Sequence, residues 1–129
     1  MATKKARSYP FKQSEHLDKA QRNEQLARAL FDLELPCCDW IITICFYSSI
    51  HYIYSKLPIS YVQNSHHALE EEIVKNFPGT GLYKPFKSLK DKSEDMRYYP
   101  NSANIYKNDR GFCEHRFKEL EKIKIILNP

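Results

Sequence analysis

Apolar residues recur at helical spacing in separate segments of this chain, and no segment alternates regularly between apolar and polar positions. Leu26, Leu30 and Leu33 form the first such stripe. The stripe predicts a helix that starts with Ser14 as its N-cap and continues to about Glu34. The same period in later segments favours an all-α fold over a sheet structure.

The stretch DWIITICFYSSIHYIYSKL, from Asp39 to Leu57, is apolar on nearly every side of a helical wheel. It predicts a second helix that Asp39 caps and that ends before Pro58. Because a helix that is apolar all round is normally enclosed by other helices, we expect it at the centre of the core. One of its faces carries Trp40, Ile44, Tyr47, His51 and Tyr54. The uninterrupted apolar run is shorter than the roughly 20 residues of a membrane span, so the sequence predicts a soluble, cytoplasmic protein.

The second half of the chain predicts further helices with short connections. A third helix is expected from Asn64 or Ser65 to Phe77, and a last one from an Asn108 or Asp109 cap to about Leu127. Between them, a shorter helical segment has the inward positions Leu82, Phe86, Leu89 and Met96, and YPNSAN is expected to be a loop. The prediction is an antiparallel up-and-down bundle of four main helices plus a short extra helix, forming one domain over residues 13–129. Residues 1–12 are expected to be a disordered basic tail.

The composition of the chain excludes few classes of partner or binding site. The net charge of +4 permits an anionic partner without requiring one, and Lys4, Lys5, Arg7 and Lys12 in the tail supply much of it. The four cysteines have no CxxC spacing and are expected to be reduced thiols. The histidines show no HxxxH spacing, so the sequence predicts neither a metal site nor a cofactor.

Three segments together resemble the small stand-alone prokaryotic HEPN-domain proteins. They are the run D-W-x-x-T-x-x-F-Y-x-x-x-H from Asp39 to His51, a histidine at the start of the next helix, and the Arg97–Tyr98 pair. The resemblance covers roughly residues 35–100. It implies a helical bundle that forms homodimers and that binds RNA, or cleaves RNA without a metal, in a toxin or defence context with an antitoxin or other protein partner. The alternative is a non-catalytic bundle that binds a protein or a nucleotide.

The family's nuclease motif is an arginine followed four to six residues later by a histidine at the start of a late helix, and Arg110 and His115 match it. The resemblance makes His115 a proton donor or acceptor and Arg110 a stabiliser of phosphate charge. Gly111 departs from the motif, because active members usually carry a polar residue there. Five helical residues also span about 140° of rotation, so the pair shares a site only in a frayed first turn or across a dimer. Alternatively, Arg110 simply pairs with Glu114.

Five further residues are candidates for binding a substrate or partner: His51, His66, Arg97, Tyr98 and Arg116. His51 is either a core histidine bonded to a tyrosine or carboxylate, or part of a site. His66 caps its helix, packs, or faces a ligand, and Arg97 with Tyr98 either complements a helix dipole or faces a phosphate or partner. Arg116 lies inside an apolar stripe and must reach solvent, pair with a carboxylate, or cross a subunit interface. We therefore expect a two-fold dimer in which part of the last helix approaches its mate.

The central position of the second helix is testable by truncating a side chain. Tyr47, Ile50 and Ile53 are expected to be almost fully buried. Ile53→Ala should then lower the free energy of unfolding in urea by about 2–5 kcal/mol, because it leaves a cavity in a packed core. A loss well under about 1 kcal/mol would place the helix at the periphery.

Overall fold

All secondary structure in the described part of the chain is helical. The computed structural model describes residues 12–58 and 66–128. Six helices form within them: α1 (Gln13–Asp32), α2 (Cys38–Tyr54), α3 (His66–Asn76), α4 (Tyr83–Tyr98), α5 (Pro100–Tyr106) and α6 (Arg110–Leu127). The all-α prediction is confirmed for these residues, but the structure has six helices there where the sequence predicted five. The predicted tail lies, except for Lys12, outside the described residues.

Helix α2 is the central helix of the bundle, as predicted. It packs against α1, α4, α5 and α6. Ile53 is fully buried and Ile50 is 8% exposed, which confirms two of the three predicted core positions. The prediction for Tyr47 is wrong, since it is 39% exposed, and Trp40 on the same face is 64% exposed. Farther along the same face the side chains are packed, since His51 stacks on His16 of α1 and Tyr54 is 2% exposed.

Helix α1 faces the core with a different stripe from the one its leucines predicted. Its buried residues are His16, Ala20, Glu24 and Ala27. Leu26 and Leu33 are exposed instead, and Leu30 is only partly buried. The small side chain of Ala20 lets α1 approach α2 closely, and Ser48 Oγ donates a 2.7 Å hydrogen bond to the Ala20 carbonyl. The close contact at Ala20 is therefore one factor that favours burial of this face of α1.

The carboxylate of Glu24 joins three helices. Tyr52 of α2 donates its hydroxyl to Glu24 at 2.6 Å, and Lys124 of α6 lies 3.0 Å from the same oxygen. Arg28, one turn along α1, donates to the other oxygen at 2.9 Å. Burial alone would raise the pKa of Glu24, but these hydrogen bonds outweigh burial and lower its pKa. The buried charge is thus fully paired, which a buried carboxylate requires.

The helix ends agree only partly with the predicted caps. Asp109 caps α6, because its carboxylate accepts from the Phe112 N–H at 3.0 Å. Ser14 and Asp39 do not cap, since α1 and α2 each begin one residue earlier and both residues lie in a first turn. The predicted YPNSAN loop is wrong, because helix α5 begins at Pro100. Proline is favourable at that first position, where its fixed φ suits a helix and no N–H is needed.

All four cysteines are free thiols, as predicted. Burial raises the pKa of Cys45 to about 12, so this thiol does not ionise near neutral pH. Among the described helices, none has both the length and the hydropathy that crossing a bilayer requires.

The Glu24 interaction should be a main source of stability. Tyr52→Phe removes one hydrogen bond to a buried charge and should lower the free energy of unfolding by about 1.5–3 kcal/mol. Tyr83→Phe is the matched control, because Tyr83 is 40% exposed, and it should change stability by less than about 0.5 kcal/mol. Equal effects of the two substitutions in urea denaturation would show that the Glu24 contact contributes little.

Candidate anion-binding site

Three side chains lie around the guanidinium of Arg97, and the four residues come from three helices. We call Tyr47 of α2, His66 of α3, and Arg97 and Tyr98 of α4 the Arg97 cluster. The guanidinium carbon of Arg97 lies 5.0 Å from the centre of the Tyr98 ring and 5.7 Å from that of Tyr47. Phe46 forms the floor, with its ring centre also 5.7 Å from this carbon. The cation is therefore held among aromatic rings by cation–π contacts.

The guanidinium of Arg97 is fixed at one end and unpaired at the other. Its Nε donates to the Ser93 hydroxyl at 3.1 Å and contacts the Ser93 carbonyl at 3.3 Å. Its Nη1 makes long contacts, each 3.4 Å, with the hydroxyls of Tyr47 and Tyr98. Its Nη2 is buried and has no hydrogen-bond partner among the described residues. An unpaired buried donor costs about 1–3 kcal/mol, so an anionic acceptor that reached this nitrogen after a shift of the surrounding side chains would remove that cost.

His66 adds a second titratable group beside this cation. It is the first residue of α3, and its ring meets Phe46 edge-on with 5.1 Å between the ring centres. Burial lowers the pKa of His66, and the positive charges of Arg97 and Lys90 lower it further. An anion bound between His66 and Arg97 would oppose the last two effects. The carboxylates of Glu94 and Glu70 act on the pKa of His66 in the opposite direction.

Both tyrosines that contact the cation are exposed to solvent. Tyr98 is 66% exposed and Tyr47 is 39% exposed. A guanidinium next to open aromatic rings can hold a phosphate while a base stacks on a ring. This combination of groups is typical of sites that bind single-stranded nucleic acids or nucleotides.

The predicted nuclease residues do not meet within one chain. Arg110 turns toward α1, where it donates to the Phe31 carbonyl at 2.9 Å and lies 3.8 Å above the Phe31 ring. His115 is exposed on α6. No hydrogen bond or ring contact joins the two in the described part of the chain, and no ion pair there joins Arg110 to Glu114. The Phe31 contact is a third arrangement, which neither sequence interpretation included.

His51 is paired with a second histidine, not with a tyrosine or a carboxylate. Its Nδ1 lies 2.8 Å from Nδ1 of His16 on α1, and the two rings stack with centres 5.0 Å apart. The contact requires one ring to donate and the other to accept, so the pair cannot be doubly protonated without losing it. Burial lowers the pKa of His51 to about 4, and the charges of His16 and Lys19 contribute in the same direction.

Arg116 is buried and pairs within its own helix. Its Nε lies 2.5 Å from a carboxylate oxygen of Glu119, although the two groups are not aligned as a hydrogen bond. Its guanidinium also lies 4.6 Å from the centre of the Phe112 ring. Of the three arrangements expected for Arg116, the structure shows the pairing with a carboxylate.

The structure thus brings together three of the predicted binding residues, His66, Arg97 and Tyr98. His51 and Arg116 lie elsewhere. Tyr47 was missed as a site residue because its apolar face indicated burial. Comparisons with protein-family models, curated proteins and solved structures found no match to this chain. The described residues contain no group of three or more metal-ligating side chains suitably placed for an ion.

The histidine pair should make stability depend on pH. The folded pKa of His51 is about 4, against an ordinary value of 6.5. Above pH 6.5 His51 is neutral in both the folded and the unfolded chain, so its titration does not lower the free energy of unfolding. As the pH falls from 6.5 toward 4, the unfolded chain binds protons that the folded pair excludes, and stability decreases by up to about 1.4 kcal/mol per pH unit for each histidine.

Urea denaturation at about pH 7 and about pH 5 measures this loss. His51→Gln should flatten the pH dependence, whereas His67→Gln, at an exposed position of α3, should leave it unchanged. An unaltered slope in His51→Gln would assign the pH dependence to other groups.

Proposed function

We propose that this chain is a HEPN-like helical bundle that binds single-stranded RNA at the Arg97 cluster. The observation that carries the proposal is the buried Nη2 of Arg97, which has no partner among the described residues. A phosphate oxygen placed there accepts a charge-assisted hydrogen bond, and Tyr47 and Tyr98 offer hydroxyls beside it.

The resemblance to HEPN proteins supports the same location. The Asp39–His51 run forms most of α2, the predicted histidine is the first residue of α3, and the Arg97–Tyr98 pair ends α4. These three segments are distant in sequence, yet they supply all four residues of the Arg97 cluster. Arg116 also has buried nitrogens without a hydrogen-bond partner among the described residues, but Arg97 lies among partly exposed tyrosines that can contact a ligand.

Binding has more support than cleavage. Metal-independent cleavage needs a proton-transfer group and a charge stabiliser on one phosphate. Arg110 is occupied by Phe31, and His115 faces solvent on α6. Cleavage at this pair therefore requires a second copy of the chain to complete the site. RNA binding at Arg97 requires only the groups already in contact.

RNA binding is testable by fluorescence anisotropy with a labelled single-stranded RNA. Arg97→Gln should weaken binding by about 10- to 100-fold, the equivalent of one charge-assisted hydrogen bond. Tyr98→Ala should weaken it by a similar factor through lost stacking, and its exposed position spares the fold. Arg22→Gln is the matched control. Within the described ranges this exposed α1 arginine pairs with Asp18 alone, at 3.9 Å, so binding should be nearly unchanged.

The same samples distinguish the other functions. Equal weakening by Arg97→Gln and Arg22→Gln would show charge attraction without a site. Metal-independent cleavage would be established instead if the wild type shortens RNA in EDTA to products with a 2′,3′-cyclic phosphate. The His115→Ala variant would then leave the same RNA intact. The wild type could also fail to bind RNA but bind a mononucleotide or a protein tightly. That result would favour a non-catalytic bundle that binds a nucleotide or a protein.

A further inference from the structure

Three neighbouring side chains on one face of α2 are open to solvent. We call Trp40, Ile44 and Tyr47 the α2 strip. Trp40 is 64% exposed, Tyr47 is 39% exposed and Ile44 is partly buried between them. They recur at intervals of four and three residues within one helix, so they lie one above the other on the same face. None of the three carries a charge.

The neighbours of Tyr47 along the helix show where this strip lies in the bundle. On a helical wheel, Tyr47 lies between Phe46 and Ser48. Phe46 packs against Phe86 of α4, with 5.7 Å between the ring centres. Ser48 donates its hydroxyl to the Ala20 carbonyl of α1. At Tyr47 the strip therefore faces outward between α4 on one side and α1 on the other.

The Arg97 cluster lies at one end of the α2 strip. Tyr47 is the last residue of the strip, and its hydroxyl lies 3.4 Å from Nη1 of Arg97. Trp40 is at the other end, seven residues earlier, which is about 10 Å along the helix axis. Successive nucleotides of a stacked strand are about 3.4 Å apart. At that spacing, Trp40 lies about three nucleotides away from a phosphate bound at Arg97.

We propose that Trp40 is a second base-stacking position for the single-stranded RNA that binds at Arg97. The inference rests on the proposed RNA binding at the Arg97 cluster and adds a minimum length of about four nucleotides to it. An exposed aromatic ring stacks any base, because every base has a π-face, so this position tolerates different sequences. The strip carries no charge, and its contribution to binding is therefore stacking and apolar contact.

The size and position of the strip favour RNA over a protein partner. At these exposures the three side chains present on the order of 300 Å², whereas each partner in a stable protein interface provides about 800 Å². A stacked base needs only the face of one ring. The strip also leads to the guanidinium of Arg97, which supplies the positive charge that a phosphate requires near the stacked base.

Intrinsic fluorescence reports on this ring directly, because Trp40 is the only tryptophan of the chain. The wild type is titrated with a series of oligoadenylates, from the mononucleotide to the octanucleotide. The tetranucleotide and longer RNAs should quench the tryptophan emission and bind more tightly than the dinucleotide, because only they extend from Arg97 to Trp40.

Fluorescence anisotropy with labelled RNA of both lengths then compares variants. Trp40→Leu removes the ring but keeps an apolar side chain, and far-UV circular dichroism checks that it is folded. It should weaken binding of the octanucleotide by about 5- to 100-fold, the value of one stacked base, and leave binding of the dinucleotide unchanged. Tyr83→Leu is the matched control. Tyr83 is 40% exposed at the far end of α4 from Arg97, so this variant should bind both lengths like the wild type.

Two results would overturn the inference, and they differ in what they imply for the proposed function. In the first, the octanucleotide binds and Arg97→Gln weakens it, but the emission of Trp40 is unchanged and Trp40→Leu binds like the wild type. RNA binding at the Arg97 cluster then stands without the second stacking position. In the second, the wild type binds no RNA of the series, or Arg97→Gln binds the octanucleotide as tightly as the wild type, and the proposed function fails as well.

Discussion

The buried carboxylate of Glu24 is the constraint on which the arrangement of α1, α2 and α6 depends. A charge at 6% exposure is tolerated only where several donors reach it. Tyr52 and Lys124 reach it only if α2 and α6 both lie against the same flank of α1. That requirement fixes the rotation of α1 about its own axis. The alanines at positions 20 and 27 complete the same buried stripe, and the leucines of the helix are left on the outside.

This constraint explains which parts of the fold the sequence could predict. Helical periodicity locates α2, α4 and α6. The central position of α2 follows from the sequence because its own side chains are apolar on most sides of the helix. Periodicity also proposes the leucine stripe of α1 as the core, because leucine is the stronger hydrophobic signal. The true stripe contains two alanines, a histidine and a glutamate. The sequence indicated this stripe only through the regular spacing of Ala20, Glu24 and Ala27. That spacing could not be interpreted without the partners of Glu24, which lie 28 and 100 residues away along the chain.

The candidate site was predictable to a similar extent. The Arg97–Tyr98 pair and His66 could be selected from the sequence, because they belong to the segments that resemble HEPN proteins and lie at the ends of predicted helices. Their proximity could not be predicted, since it depends on how α3 and α4 cross α2. Asp109 shows the opposite case, because a cap depends only on local geometry. Residues whose role is local were therefore easier to identify than residues whose role depends on packing.

The position of Tyr47 has a thermodynamic consequence. Its ring packs against Phe46 with 5.7 Å between the ring centres, and its hydroxyl lies 3.4 Å from the Arg97 guanidinium. The side chain is only 39% exposed, so part of its rotational freedom is lost before a ligand arrives. An anion that binds at Arg97 therefore meets a side chain that is already partly ordered, which lowers the entropic cost of binding.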